Sequence, residues 1–385
     1  MKKKGVNGKK NIALLGGSSL FNDVGSEMIT PIFPFYVLAL GGSGAAVGLL
    51  SGLRTGLASF VKIFGGWLSD RLGKRKIFVV IGYIISVIFK FLLGFSTSAR
   101  QLIVVASFER VGKLRDAPRD AIISENLKRH RGEGFAIHRA FDTTGAVIGS
   151  IIVLFMIWKF SANYKSIILL AAALSILSLI PLFFVKDAKT KPIKKSLFEE
   201  IHLIPRRLKY FIFVASVFAL AEFGLYMFLI LRANEITGSF VIPLALYVLF
   251  NFVTALLTVP FGILSDKIGR KKVLFLGYFL SMVVSLSFIY INSLSGLIIL
   301  FALYGVVFAI VDSNQPALVA DLSDDMKGTS LGLYHTVVGL VTIPAGLIAG
   351  LLYDFSYFVM FAYTAVIALI ALILLIFVRE GIRFN

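Results

Sequence analysis

The chain has 385 residues, of which 58% are hydrophobic and 16% charged, with a formal net charge of +18. A water-soluble domain carries roughly a quarter charged and about 45–50% apolar residues, so a chain with a mean hydropathy of +0.89 lacks the polar surface to face water. The absence of cysteine excludes disulfide scaffolds, thiol nucleophiles and thiolate metal sites. Four histidines are too few for a histidine-rich metal centre, and neither a metal ion nor a cofactor is expected.

The basic stretch Met1 to Lys10 leads into an apolar run that is too long for a signal peptide, contains Asp23 and Glu27, and lacks a small-residue cleavage pattern. It reads as a retained membrane helix. Apolar runs long enough to cross about 30 Å of hydrocarbon predict helices at 12–38, 45–69, 77–96, 100–125, 134–159 and 164–185. Six more follow at 208–233, 240–264, 273–291, 295–320, 329–353 and 356–378. The longest polar interruption, 186–207, holds Lys186, Lys189, Lys191, Lys194, Lys195, Arg206 and Arg207. The predicted organisation is thus a six-helix bundle over 1–185, a linker over 186–207 and a second six-helix bundle over 208–385. Basic residues resist translocation. Most of the 39 lysines and arginines fall on one side, and only Arg100, Lys159, Lys165 and Arg232 in loops on the other. Both termini and the linker are therefore expected in the cytoplasm, with the chain multi-pass in a cytoplasmic membrane. The net charge follows from this topology and not from a nucleic-acid partner.

An internal repeat supports the division. Gly66, Ser69, Asp70, Arg71, Gly73, Lys74, Arg75 and Lys76 match Gly262, Ser265, Asp266, Lys267, Gly269, Arg270, Lys271 and Lys272 at an offset of 196. Arg131 and Gly132, placed in the loop after helix four, fall on Lys327 and Gly328 after helix ten at the same offset. Two parallel six-helix repeats imply a substrate site near the bilayer midplane.

The twice-occurring loop resembles the signature of the major facilitator superfamily. The resemblance covers the whole chain in helix count, six-plus-six division and loop placement. It implies an all-α membrane protein of twelve transmembrane helices in two pseudo-symmetric bundles, transporting a small molecule by alternating access. In that family the loop acts as a cytoplasmic latch, a role the resemblance carries to Gly66, Asp70, Arg71, Gly73 and Arg75, with Asp120 as partner, and to Gly262, Asp266, Gly269 and Arg270. By its own physics, Gly66 would allow close helix approach, Gly73 a tight turn, and Asp70 pairing with a helix amino terminus or a nearby base. Asn22, Asp23, Ser26, Glu27 and Pro31, with Glu109, Arg110, Gly112, Lys113, Arg115, Pro118, Arg119 and Asp120, are similar to a prokaryotic, drug-efflux-like branch. Against that branch the chain is one residue short after Lys113, which would turn later side chains by about 100° on a helix.

Charges inside spans cost roughly 2.5–3.5 kcal/mol each at mid-membrane and are functional by default. Asp23 and Glu27 share one face of helix one and form a candidate proton or substrate site; structural pairing with Arg54 or Arg139 is the alternative. Glu109, Lys113, Asp116 and Asp120 fall on one stripe of helix four. Arg54, Glu109, Arg110, Arg115, Asp116, Asp142 and Glu222 join the coupling or substrate set. Arg119, Asp120, His138 and Arg139 lie shallower and are assigned to the gate, while Lys62 and Lys90 are expected to snorkel or pair locally. Gly145 and Gly149 punctuate helix five, with Ser150 where the exporter pattern of the family has proline. The leading expectation is proton-coupled export of amphipathic or cationic compounds by a monomer whose partners are small-molecule substrate, protons and lipid. The alternatives are a facilitator or symporter of an anionic metabolite or metal chelate, drawn by the arginines, and a transport-dead sensor. No nucleophile–base pattern or phosphate loop points to an enzyme.

Overall fold

The computed structural model describes residues 2–126, 131–187, 204–323 and 327–378. The linker lysines at 189, 191, 194 and 195 lie outside them. The first span comprises α1 (Lys2–Ile29), a 3-10 turn (Thr30–Ile32) and α2 (Phe33–Ala39), followed by α3 (Gly44–Leu72) and α4 (Lys76–Leu93). The fourth span comprises α5 (Ala99–Val111), a 3-10 turn (Gly112–Arg115) and α6 (Asp116–Asn126). Helix α7 (Arg131–Phe160) is the fifth span, and α8 (Tyr164–Ile176) with α9 (Leu179–Phe184) the sixth. The second repeat runs α10 (Arg206–Glu222), α11 (Tyr226–Thr237), α12 (Val241–Ile268), α13 (Arg270–Tyr290), α14 (Leu294–Leu322), α15 (Lys327–Phe355) and α16 (Tyr357–Ile376). These are twelve spans, α10 and α11 together making the seventh.

Ten of the spans are long and apolar enough to cross a membrane by composition alone. The two that are not, the first and the fourth, carry Asp23 and Glu27 and the row of charges from Glu109 to Asp120. Apolar content has been given up where ionisable groups are concentrated.

Three spans are interrupted where proline removes an i−4 hydrogen bond and crowds the preceding turn. Pro31 and Pro34 open the 3-10 turn and α2, Pro118 lies in the first turn of α6 and Pro181 in the first turn of α9. The seventh span breaks differently, at Gly224, whose φ of +100° no α-helix accommodates.

Contacts divide the chain into two compact units, residues 1–41 with 57–196, and 42–56 with 197–385. The first half of α3 thus clusters with the second repeat. Within the first unit, the first span packs on the fifth and sixth, and the third on the fourth and sixth; within the second, the seventh packs on the eleventh and twelfth, and the ninth on the tenth and twelfth. This is one neighbour scheme used twice. Ile12, Leu15, Tyr83, Ile122 and Leu182 belong to one core; Leu208, Phe211, Phe218, Tyr278, Leu318 and Leu375 belong to the other.

Arg131 and Lys327 begin α7 and α15 and do not lie in loops, yet they keep the offset of 196. Arg232, expected in an external loop, is buried on α11, bonded to Glu235 at 3.1 Å and Asn292 at 3.2 Å.

Candidate functional site

In the first unit the ionisable groups form three connected clusters. The first is fully enclosed. Lys90 on α4 donates to the backbone oxygen of Asn22 at 2.8 Å, to its amide oxygen at 2.9 Å and to the Ser175 hydroxyl at 3.0 Å. Ser86, one turn earlier, lies 3.1 Å from the same Asn22 oxygen and 2.9 Å from Glu109, and Glu109 pairs with Arg110 at 3.2 Å. Lys90 is 1% exposed, so it does not snorkel, contrary to the expectation for it. Its ammonium is held by neutral oxygens in place of water.

The second cluster surrounds Asp23. Its carboxylate lies 3.5 Å from the Ser19 hydroxyl and 3.4 Å from the Asn22 amide. Asp142 on α7 lies close enough to Asp23 to interact with it by charge, and one of its oxygens faces His138 Nδ1 at 3.2 Å. Two pairs of proton-exchanging groups, Ser19 with Asp23 and His138 with Asp142, are therefore gathered where two helices meet. The helices meet there because α7 offers glycine. A methyl at Gly145 would sit 2.7 Å from the Leu20 oxygen and 3.3 Å from Asp23 Cβ, and one at Gly149 would sit 2.3 Å from the Val24 oxygen and 3.1 Å from Glu27 Cβ. The glycine pair backs the two acids of helix one. Glu27 is partly exposed and Arg139 exposed.

The third cluster centres on Asp116, which is buried among bases: Lys62 at 3.2 Å, Arg119 at 3.5 Å, Lys113 at 3.8 Å and Arg115 at 3.9 Å. Arg115 is 2% exposed, donates to the Gly112 carbonyl at 2.9 Å and stacks over Tyr83 at 4.3 Å. The single stripe expected from Glu109 to Asp120 does not form. The 3-10 turn at Gly112–Arg115 overwinds the span between them, so Glu109 meets α4, Asp116 meets Lys62 of α3, and Asp120 turns to Arg119 at 2.9 Å. That turn falls where the chain is one residue short against the resembled pattern.

In both units the repeated loop pairs an arginine with two acids, Arg270 standing one position earlier in the repeat than Arg75, and one acid of each pair is a partner that the sequence reading missed. Arg75 pairs with Asp70 at 3.1 Å and, more closely, with Glu125. Arg270 pairs with Asp266 at 2.9 Å and with Asp321 at 2.6 Å. Asp120 is not the partner of this loop. Glu125 and Asp321 are themselves separated by 196, which is the signal that could have found them. Gly73 turns the chain at φ +65° and Gly269 at φ +106°, and Arg71 lies over Trp67 at 5.3 Å. The close approach assigned to Gly66 belongs to its neighbour: a methyl at Gly65 would sit 2.2 Å from the Leu114 oxygen, one at Gly66 3.0 Å from the Ala117 methyl, and one at Gly262 meets nothing.

In the second unit Glu222 ends α10. It accepts from Ser281 at 2.8 Å and from Tyr304 at 2.9 Å. Arg54, on the part of α3 that clusters with this unit, is buried. A seam of glycines that sequence reading also passed over, Gly44, Gly48, Gly52 and Gly56, meets α15: a methyl at Gly48 would sit 1.9 Å from the Gly346 oxygen. Asp354 accepts from the backbone nitrogens of Gly44 and Ala45 at 2.6 and 2.8 Å. The four-residue glycine spacing was the available sign.

Comparison with known proteins agrees with this architecture. Residues 15–245 and 211–382 match the model of the Major Facilitator Superfamily. An uncharacterised MFS-type transporter of Methanocaldococcus jannaschii is 47% identical over 378 residues, covering 96% of this chain and 95% of that protein. The multidrug resistance protein MdtH of Photorhabdus laumondii is 27% identical over 341 residues, covering 84% and 82%. Among solved structures, a mutant of the nucleoside transporter NupG superposes with a TM-score of 0.83 at 15% identity, covering 96% of this chain and 100% of that one. A bacterial homologue of the lysosomal transporter Spinster does so with 0.77 at 16%, covering 96% of each; these two show the fold alone. With twelve spans, a duplicated charged loop and family similarity along nearly its whole length, the chain belongs to the Major Facilitator Superfamily and is a multi-pass secondary transporter, not an enzyme.

Proposed function

We propose that the protein exports amphipathic or cationic small molecules across the cytoplasmic membrane of a prokaryote in exchange for protons, with both termini in the cytoplasm. The observation that carries the reading is the pair of carboxylates Asp23 and Asp142, on α1 and α7, close enough to interact by charge. Two nearby acids in a low-dielectric site do not both ionise cheaply and can hold a proton between them, Ser19 bonds the Asp23 end, and His138 extends the path from Asp142. The distant similarity to multidrug resistance proteins MdtH supports the substrate class. In this reading the Asp70–Arg75–Glu125 and Asp266–Arg270–Asp321 triads belong to the gate.

The anionic-substrate alternative gains little from the geometry, because Arg110, Arg115 and Arg119 are each engaged by acids or carbonyls of their own span. The test is ethidium transport by purified protein in proteoliposomes under an imposed pH gradient. Wild type should accumulate ethidium in response to the gradient, and Asp23→Asn and Asp142→Asn should lose that response while still equilibrating ethidium. Gradient-driven accumulation retained in both variants would remove the proton path. Binding of ethidium without any flux would favour the sensor.

A further inference from the structure

The seventh span is broken at mid-length, and the break is furnished. Helix α10 ends at Glu222, Gly224 takes φ +100°, and α11 resumes at Tyr226. Irregular backbone at membrane depth is tolerated only where it is buried in protein or lines a cavity. The break is fixed by its neighbours: Ser51 donates to the Phe223 carbonyl at 2.9 Å, and any methyl at Gly224 would collide with the same hydroxyl, 1.8 Å away. The carboxyl end of a half-helix carries the negative pole of its dipole, and Glu222 adds a carboxylate to that pole. Among the described residues, both carboxylate oxygens are met by hydroxyls alone, those of Ser281 and Tyr304. Among the described residues no lysine, arginine or histidine lies within salt-bridge distance of it.

Aromatic rings complete the surroundings. Tyr304 stacks on Phe250 at 5.2 Å, and tilted contacts join Phe250 to Tyr247 at 5.6 Å and Tyr247 to Tyr226 at 5.8 Å. Tyr226 opens α11 just beyond the break that follows Glu222. Tyr247, Phe250 and Tyr304 are buried, whereas Glu222 and Tyr226 remain partly exposed, leaving access from their side. A carboxylate without a basic partner, at the negative end of a half-helix and among π-faces, has the composition of a receptor for an organic cation.

We propose that Glu222, with Tyr226, Tyr247, Phe250 and Tyr304, binds the charged group of a lipophilic organic cation, with Glu222 as its counter-ion. This rests on the reading of the protein as an exporter of cations, and it locates cation recognition in the second repeat, apart from the Asp23–Asp142 path. Ser281 and Tyr304 hold the carboxylate when the site is empty, and the rings receive the cation's apolar envelope.

The test is equilibrium binding of radiolabelled tetraphenylphosphonium to the purified full chain in lipid nanodiscs, with melting temperature measured in parallel. E222Q keeps the shape but removes the charge, its amide oxygen accepting from one hydroxyl and its NH2 donating to the oxygen of the other; it should bind at least about tenfold more weakly at unchanged melting temperature. Tyr226→Leu, at a partly exposed position, should weaken binding about fivefold and serves if E222Q fails to fold. Unchanged affinity in E222Q and Tyr226→Leu overturns the site but leaves cation export standing. No binding to wild type overturns both. Glu222-dependent binding without proton-driven flux supports the site and overturns proton-coupled export alone.

Discussion

The Lys90 ammonium grips Asn22 twice, at 2.8 Å through the backbone oxygen and at 2.9 Å through the side chain. It thereby ties α4 to the first span one residue before Asp23. A lysine in an enclosed site costs several kcal/mol of desolvation, and here three neutral oxygens compensate. Arg and Lys are not interchangeable where the space is shaped for a compact ammonium. Lys90→Arg is therefore expected to lower the melting temperature more than Lys90→Met, although it preserves charge, and both should reduce gradient-driven transport at least about tenfold. Thermal scanning with proteoliposome flux decides it. A stable, active Lys90→Arg protein would show that the pocket is not closed around the ammonium.

The glycines of the repeated loop are unequal. Gly65→Ala places a methyl 2.2 Å from a backbone oxygen, which cannot move without moving its helix; Gly66→Ala meets only a side-chain methyl at 3.0 Å, and Gly262→Ala meets nothing. Overpacking typically costs about 1–3 kcal/mol. The expected order of destabilisation is Gly65→Ala, then Gly66→Ala, with Gly262→Ala close to neutral, read by thermal unfolding in detergent. Equal effects at Gly66 and Gly262 would mean that motif identity, and not packing, governs these positions.

What could be read from sequence was what is local. Span length, the charged loop and its offset of 196 are one-dimensional signals, and they led to the twelve-span architecture. The rotation of each helix is not local. Whether Lys90 reaches a surface or Asn22 depends on which face of α4 meets α1, and nothing in α4 alone decides that. The stripe on the fourth span failed because Pro118 forces a 3-10 turn ahead of α6, a sign present in the sequence whose effect on phase was not drawn. Glu125 with Asp321 and the spacing of Gly44, Gly48, Gly52 and Gly56 were legible, but only a partner gives such spacing meaning.

The Arg75–Glu125 contact makes a quantitative expectation. Arg75 is largely buried and Glu125 about one-quarter exposed at the side chain, so their pairing should exceed that of a surface ion pair, which is worth about 0–1 kcal/mol. A double-mutant cycle of Arg75→Ala and Glu125→Ala should give a coupling of about 1 kcal/mol or more, whereas Arg75→Ala with Asp120→Ala should be additive within about 0.5 kcal/mol. The cycle can be read from unfolding midpoints. Coupling to Asp120 in place of Glu125 would contradict the pairing.

The first half of α3 owes its place to backbone contact, and its carboxylate cap offers a separate handle. Asp354 accepts from the first two nitrogens of the helix, Gly44 and Ala45, and a helix begun without such an acceptor typically loses about 1 kcal/mol. Asp354→Ala should cost about that much. Gly48→Ala should cost more, because its methyl and the Gly346 oxygen would be 1.9 Å apart, and the reciprocal Gly346→Ala meets the Gly48 oxygen at 2.1 Å. The two glycine variants address one contact, so the double variant should lose less than the sum of the singles once the helices have separated. The cap, which lies at the end of α3, should continue to matter only while the seam is closed. Asp354→Ala is therefore expected to be destabilising in the wild-type background and nearly silent in Gly48→Ala, measured by thermal unfolding of all four combinations. Full additivity of cap and seam would separate them into independent supports.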